Sequence, residues 1–157
     1  DDIFPMRVMN GFLSGTKGGK LHNELRGVRD LVYLVWGSTF IGPEAGTYYV
    51  MTQTSPENYD SVYSVIMTEL EKVKAGDFDE EDMDRAKRSM RESFHRGRQE
   101  QENHVVSAAL NELYGLGYDY DDIYLDRIDE VTKEQIIEWA KKYLNNPVVT
   151  IIGPTKS

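Results

Sequence analysis

The sequence predicts an α+β fold built around an antiparallel sheet, and three observations carry that prediction. Val32 to Ile41 and Thr47 to Gln53 are rich in β-branched and aromatic residues, and Gly42-Pro43-Glu44-Ala45-Gly46 separates them as a turn, so the pair reads as a hairpin. The middle of the chain repeats apolar residues at helical spacing. A last β-rich run, Val148 to Ile152, follows the helices. Strands early and last, with helices between, give α+β rather than alternating α/β.

The bulk properties narrow the function. The 157 residues suit a single domain, 1–157, with one core. A net charge of −9 argues against nucleic acid as a partner, because phosphate binding needs a basic footprint. The absence of Cys excludes disulfides, thiol catalysis and Cys-ligated metal. No apolar run approaches the ~20 residues of a membrane helix, and no secretory signal pattern is visible. The reading is of a soluble chain, with cytoplasm and periplasm both left open.

Taken in order, Asp2 to Leu13 places Ile3, Met6, Met9, Phe12 and Leu13 at helical spacing, with Pro5 in the first turn. Ser14 to Gly19 is loop. Lys20 to about Val28 is a short helix with Leu21, Leu25 and Val28 on one side. In Val32 to Ile41 both alternating sets are largely apolar (Val32, Leu34, Trp36 and Phe40 against Tyr33, Val35 and Ile41), which predicts a sheet covered on both faces. Ser55-Pro56 caps a helix running to Ala75, striped by Tyr59, Val62, Tyr63, Ile66, Leu70 and Val73 and stopped by Gly76. Asp79 caps the next helix, with Phe78 placed to staple Met83 and a break near Gly97. Helices follow over Asn103 to Tyr114 and Asp119 to Asp129. Thr132 and Gln135 form a capping box for the last helix, which ends near Asn145-Asn146-Pro147.

Three strands are thin cover for so many helices, and the chain opens directly into one. The expectation is a fragment of a larger protein with strand upstream of Asp1. No repeat, linker or low-complexity tract divides it.

The usual catalytic patterns are missing. The three His, at 22, 95 and 104, are never four apart, so no pair grips zinc from one helix face. His22 reads as a solvent-facing helix residue. Ser14 to Leu21 departs from a phosphate loop at both ends, with Ser14 for the first Gly and Leu21 for the final Ser/Thr. It reads as a connection between helices. Glu80-Glu81 and Asp121-Asp122 sit at helix starts, where the dipole favours carboxylates.

The run Gly19-Lys20-Leu21-His22-Asn23-Glu24-Leu25-Arg26, followed by Leu31-Val32-Tyr33, resembles a signature stretch of the pitrilysin/insulinase zinc peptidases, a family that includes mitochondrial processing peptidase. Met9 to Leu13, Thr54 to Asn58, Asp79 to Lys87, Leu113 to Gly115, Arg127 to Thr132 and Ile152 to Pro154 resemble further family motifs in the same order. The departures are Leu31 and Val32 where Gly often stands, Lys20 for the usual Arg, and Arg29-Asp30. The resemblance implies an antiparallel sheet with helices on one face. It also implies the half-domain that lacks zinc ligands and supplies an Arg and a Tyr seven residues apart, here Arg26 and Tyr33. On that reading this chain holds no cofactor, and the zinc belongs to a homologous partner half, in the same chain or another. Arg26 orients a peptide substrate and Tyr33 donates to the oxyanion. Some members are scaffolds without activity, and that alternative stays open. By pattern alone, Arg26 is an exposed residue near a helix C-terminus and Tyr33 a β-core aromatic.

Overall fold

A computed structural model describes residues 2–15, 18–42, 46–98 and 101–153. Thr16 and Lys17 of the Gly-rich loop, Pro43 to Ala45 of the expected turn, and Pro154 of the closing motif lie outside the described residues.

Helix α1, Ile3–Leu13, forms the centre of the core. Its spacing buries Phe4, Val8, Met9, Phe12 and Leu13, so it is apolar around most of its girth. A single α-helical turn, Lys20–His22, begins α2 and widens into a π-helical segment, Asn23–Val28. Leu21 and Leu25 are fully buried, as their spacing predicts, but Val28 is 71% exposed. The i→i+5 winding of the π segment turns Val28 away from the side that Leu25 faces.

The hairpin is formed by β1, Val32–Ile41, and β2, Gly46–Thr54, paired antiparallel. Only one of its faces is covered. Val32, Val35 and Gly37 point inward, while Tyr33, Leu34 and Phe40 are exposed. The expected burial of both faces is therefore corrected. Apolar residues in both alternating sets do not bring a second layer of cover with them.

The remaining helices pack on the inner side. A 3₁₀ turn, Pro56–Asn58, leads into α3, Tyr59–Ala75; Pro56 opens the turn, but the Ser55 side chain makes no capping bond. Val62, Leu70 and Val73 are buried along the predicted stripe. Gly76 ends the helix with φ +76°, a left-handed conformation that glycine adopts without a Cβ penalty. Helix α4, Glu80–Gly97, starts with a reciprocal capping box between Asp79 and Asp82. Then come α5, Gln101–Leu113, a 3₁₀ turn at Tyr120–Ile123, α6, Tyr124–Asp129, and α7, Lys133–Tyr143. The Thr132–Gln135 capping box of α7 is present in both directions.

The third strand is a second correction. Residues 148–152 enter no ladder, and among the described residues the sheet has two strands. Val148 is 94% and Ile152 95% exposed. β-propensity expresses how well a side chain fits a pleated neighbour, and here neither edge of the hairpin supplies one.

Candidate functional site

The expected pair lies where α2 meets β1. Lys20 is held at the start of α2 by an ion pair to Asp82, 2.6 Å away, in the first turn of α4. Leu21 and Leu25 anchor the inner side, which leaves Arg26 exposed on the outer one. Arg29 pairs with Glu24 across the π segment. The Leu31 N–H donates to the Leu25 carbonyl at 2.7 Å, and Asp30 adopts φ +50° to make the turn. Asp is among the few residues that tolerate this left-handed region.

Tyr33 occupies a β-bulge. Val32 pairs with Thr54 and Leu34 with Gln53, so Tyr33 has no opposite number. The extra residue resets the alternation, and both Tyr33 and Leu34 face outward between buried Val32 and Val35. The backbone carbonyl of the bulge residue accepts from the Arg26 guanidinium. Thr54 Oγ1 donates to the Leu31 carbonyl at 2.6 Å and closes the ladder end. Arg26 and Tyr33 are thus joined directly, through the Tyr33 backbone. The phenol of Tyr33 projects from the bulge at 65% residue exposure. Tyr33 is not the core aromatic that β-propensity alone suggests.

Other expected features resolve differently. Among the described residues, no group of three or more His, Asp or Glu is arranged to hold a metal ion. The described residues therefore do not fit zinc. His22 is half-buried rather than solvent-facing, with its Nδ1 enclosed and without a hydrogen-bond partner.

A second feature has no counterpart among the sequence motifs. A cleft of about 640 Å³ runs between α1, α4, α5 and the Tyr120–Ile123 turn. Arg7 and Asn10 of α1, Ser89, Met90 and Ser93 of α4, and Ser107, Asn111 and Asp121 are among the residues that line it. Asp121 accepts from Ser107 Oγ at 2.6 Å and from Asn111 Nδ2 at 3.0 Å. Partial burial pushes its pKa up, but those two hydrogen bonds, aided by the Arg98 and His104 charges, outweigh it and hold the carboxyl below its ordinary value. The helix dipole is therefore not the whole account of Asp121. Ser107 and Asn111, four apart on one helix face, are the available signal.

The comparisons agree with this architecture. Residues 1–90 match the peptidase M16 inactive domain. An uncharacterised zinc protease of Mycobacterium leprae (strain TN) is 28% identical over 153 residues, 97% of this chain and 34% of that protein. A conserved protein from Enterococcus faecalis V583 aligns with TM-score 0.79 at 26% identity, over 90% of this chain and 33% of its own. The peptidase M16 inactive domain from Pseudomonas fluorescens shares the fold with TM-score 0.81 at 24% identity, over 92% of this chain and 34% of its own. The chain spans about a third of the length of each of these relatives. Hairpin, helical order and a family match over more than half the residues lead to one assignment: the chain belongs to the peptidase M16 inactive-domain family.

Proposed function

We propose that this domain is the non-zinc half of a zinc metallopeptidase, binding and orienting a peptide for a homologous zinc-bearing half. The observation that carries the reading is an exposed phenol on a bulge whose carbonyl is held by Arg26. A bulge frees a side chain from the pairing of the sheet, and bulges recur beside active sites for that reason. The π segment that bears Arg26 is of a kind also frequent at functional sites.

In this reading the metal lies on the partner half, where it supplies the Lewis acid and the bound water. Tyr33 O–H donates to the scissile carbonyl oxygen as negative charge develops on it. Such a prepositioned donor is worth ~3–4 kcal/mol. Arg26 commits one N–H to the Tyr33 carbonyl, and the rest of its five-donor fork remains for a substrate carbonyl. Arg26 is then both a substrate ligand and the residue that fixes the bulge.

The test is hydrolysis by this domain assembled with a zinc-bearing half from a related protein. Tyr33→Phe is expected to lower kcat by ~10²–10³ with little change in KM. Arg26→Ala is expected to lower kcat/KM through both terms. Unchanged kcat/KM in both variants would sink the proposal.

One observation favours a second reading. The Arg26 guanidinium bonds to backbone within its own chain, which is also what a purely structural arginine does. A catalytically silent scaffold or peptide-binding domain needs no more. That reading predicts no hydrolysis with any zinc-bearing half and full peptide binding by Arg26→Lys.

A further inference from the structure

The bulge at Tyr33 is held by side chains from outside its own strand. Three backbone carbonyls around it accept from side chains: Leu31 from Thr54 Oγ1 at 2.6 Å, Tyr33 from the Arg26 guanidinium, and Leu34 from Thr52 Oγ1 at 3.0 Å. We propose that Thr54 and Thr52 are positioning residues for the Arg26–Tyr33 junction. From the opposite strand they fix the backbone on both sides of the bulge, and with it the direction in which the Tyr33 phenol points. Their catalytic consequence rests on the reading of the junction as part of a peptidase; the bracing does not.

Apolar residues fill both parities of β1, so hydrophobic patterning by itself marks no place for an extra residue. The register sets Val32 opposite Thr54, Leu34 opposite Gln53 and Val35 opposite Thr52. The two threonines thus flank Gln53, the residue that faces the bulge, and their hydroxyls reach carbonyls before and after Tyr33. Leu31 is fixed twice, because its N–H also donates to the Leu25 carbonyl at 2.7 Å. One residue therefore ties β2 to the π segment that carries Arg26.

Thr54 is the stronger brace. Its hydroxyl has one hydrogen, and the Leu31 carbonyl at 2.6 Å holds it in preference to the Ser55 carbonyl at 3.5 Å. That bond is half-buried, whereas the Thr52 bond is exposed to water, which competes for both partners. The other polar contacts near the junction act less directly. Lys20–Asp82 holds the start of α2, and Glu24–Arg29 is an exposed ion pair, a kind that contributes little.

Valine has nearly the outline of threonine and keeps its strand preference, so Thr54→Val removes the hydroxyl and retains the hairpin. NMR of this chain with isotope-labelled arginine reads the brace directly, the Arg26 signals being those lost in Arg26→Lys. Resolved, hydrogen-bonded Arg26 Nη–H signals are expected in the wild type and in Thr54→Ser, which keeps the hydroxyl, and are expected to merge in Thr54→Val. In the assembly with a zinc-bearing half, Thr54→Val is expected to lower kcat about tenfold with KM within about twofold, Thr54→Ser to recover most of that loss, and Thr52→Val to cost less. In a Tyr33→Phe background Thr54→Val is expected to lower kcat less than about twofold, since there is then no phenol to position. Unchanged Arg26 signals in folded Thr54→Val overturn the proposal, and so does a kcat loss as large without the phenol as with it. If Tyr33→Phe alone keeps full kcat, the peptidase reading of the junction fails, and the Arg26 signals still decide for or against the brace. Circular dichroism checks the fold, and if Thr54→Val does not fold, Thr52→Val decides by the same readings.

Discussion

Lys20 Nζ lies 2.6 Å from the carboxylate of Asp82, and that contact ties the helix bearing Arg26 to the first turn of α4. Asp82 is 5% exposed, also pairs with Arg85, and closes the capping box with Asp79. Burial pushes its pKa up, but the Lys20 hydrogen bond, the Asp79 N–H and the charges of Lys20 and Arg85 outweigh this and lower it below 3.8. A carboxyl depressed by folding adds stability above its unfolded pKa and loses it as pH falls through the folded one. Asp82→Ala is therefore expected to cost ~2–3 kcal/mol at neutral pH, from a lost cap and an uncompensated lysine. Thermal melts between about pH 3 and 7 are expected to show a shallower acid limb in the variant than in the wild type.

Gly37 has no room for a side chain. A Cβ there would lie 2.0 Å from Ser14 Oγ and 2.6 Å from Asn10 Oδ1, where β1 crosses the end of α1. Ser14 donates its one hydrogen to Asn10 Oδ1 at 2.6 Å, so neither group can move off without breaking a half-buried bond. Gly37→Ala is expected to cost ~3 kcal/mol, read as a fall in denaturation midpoint at unchanged slope.

The Tyr33 phenol contributes exposure rather than packing. Tyr33→Phe is expected to change stability by less than ~0.5 kcal/mol, as surface substitutions usually do. Arg26→Ala frees the bulge carbonyl and is expected to cost ~1 kcal/mol, the worth of one exposed charge-assisted bond. Chemical denaturation of the two variants checks this. It also ensures that a loss of activity in either one is not mistaken for unfolding.

Tyr48 reports on alkaline stability. Its hydroxyl is enclosed, and because Ser14 has spent its hydrogen on Asn10, the phenol donates to Ser14 Oγ at 3.2 Å. Burial pushes its pKa from 10.0 up to about 12. A group raised by folding contributes fully below its unfolded pKa and is lost as pH rises through the folded value. Ultraviolet titration is expected to show one of the ten tyrosines ionising near pH 12, with loss of structure over the same range. Tyr48→Phe is expected to lack both the late titration and its share of the alkaline transition.

The features legible in the sequence are those that short-range rules decide. The left-handed stop at Gly76, the Thr132–Gln135 box and the inner part of the α3 stripe (Val62, Leu70 and Val73) depend on neighbours within four residues and are present, while Tyr63 of that stripe is exposed. The pairing of β1 with β2 follows from two β-rich runs close together in the sequence. Val148 to Ile152 fails because a strand needs a second strand, and local propensity does not supply one. The bulge is invisible because apolar residues fill both parities of β1, so no break in the pattern marks Tyr33. The spacing of Arg26 and Tyr33 is readable through family likeness, but the bond from guanidinium to backbone carbonyl is not. Asp121 reads as a helix-start residue because its partners lie 14 and 10 residues back, beyond any local rule.

The bulge at Tyr33 has a consequence for how this strand can change over time. Every other position from Val32 to Gly37 answers to parity, since moving it by one would send Val35 into water and Trp36 into the core. Tyr33 alone stands outside that count. Its residue type can vary, and the ladder can in principle close over its deletion, without reversing the faces of the residues after it. The position that the strand offers to solvent chemistry is therefore also the one least bound by packing. Adaptation there can proceed while the core sequence stays fixed.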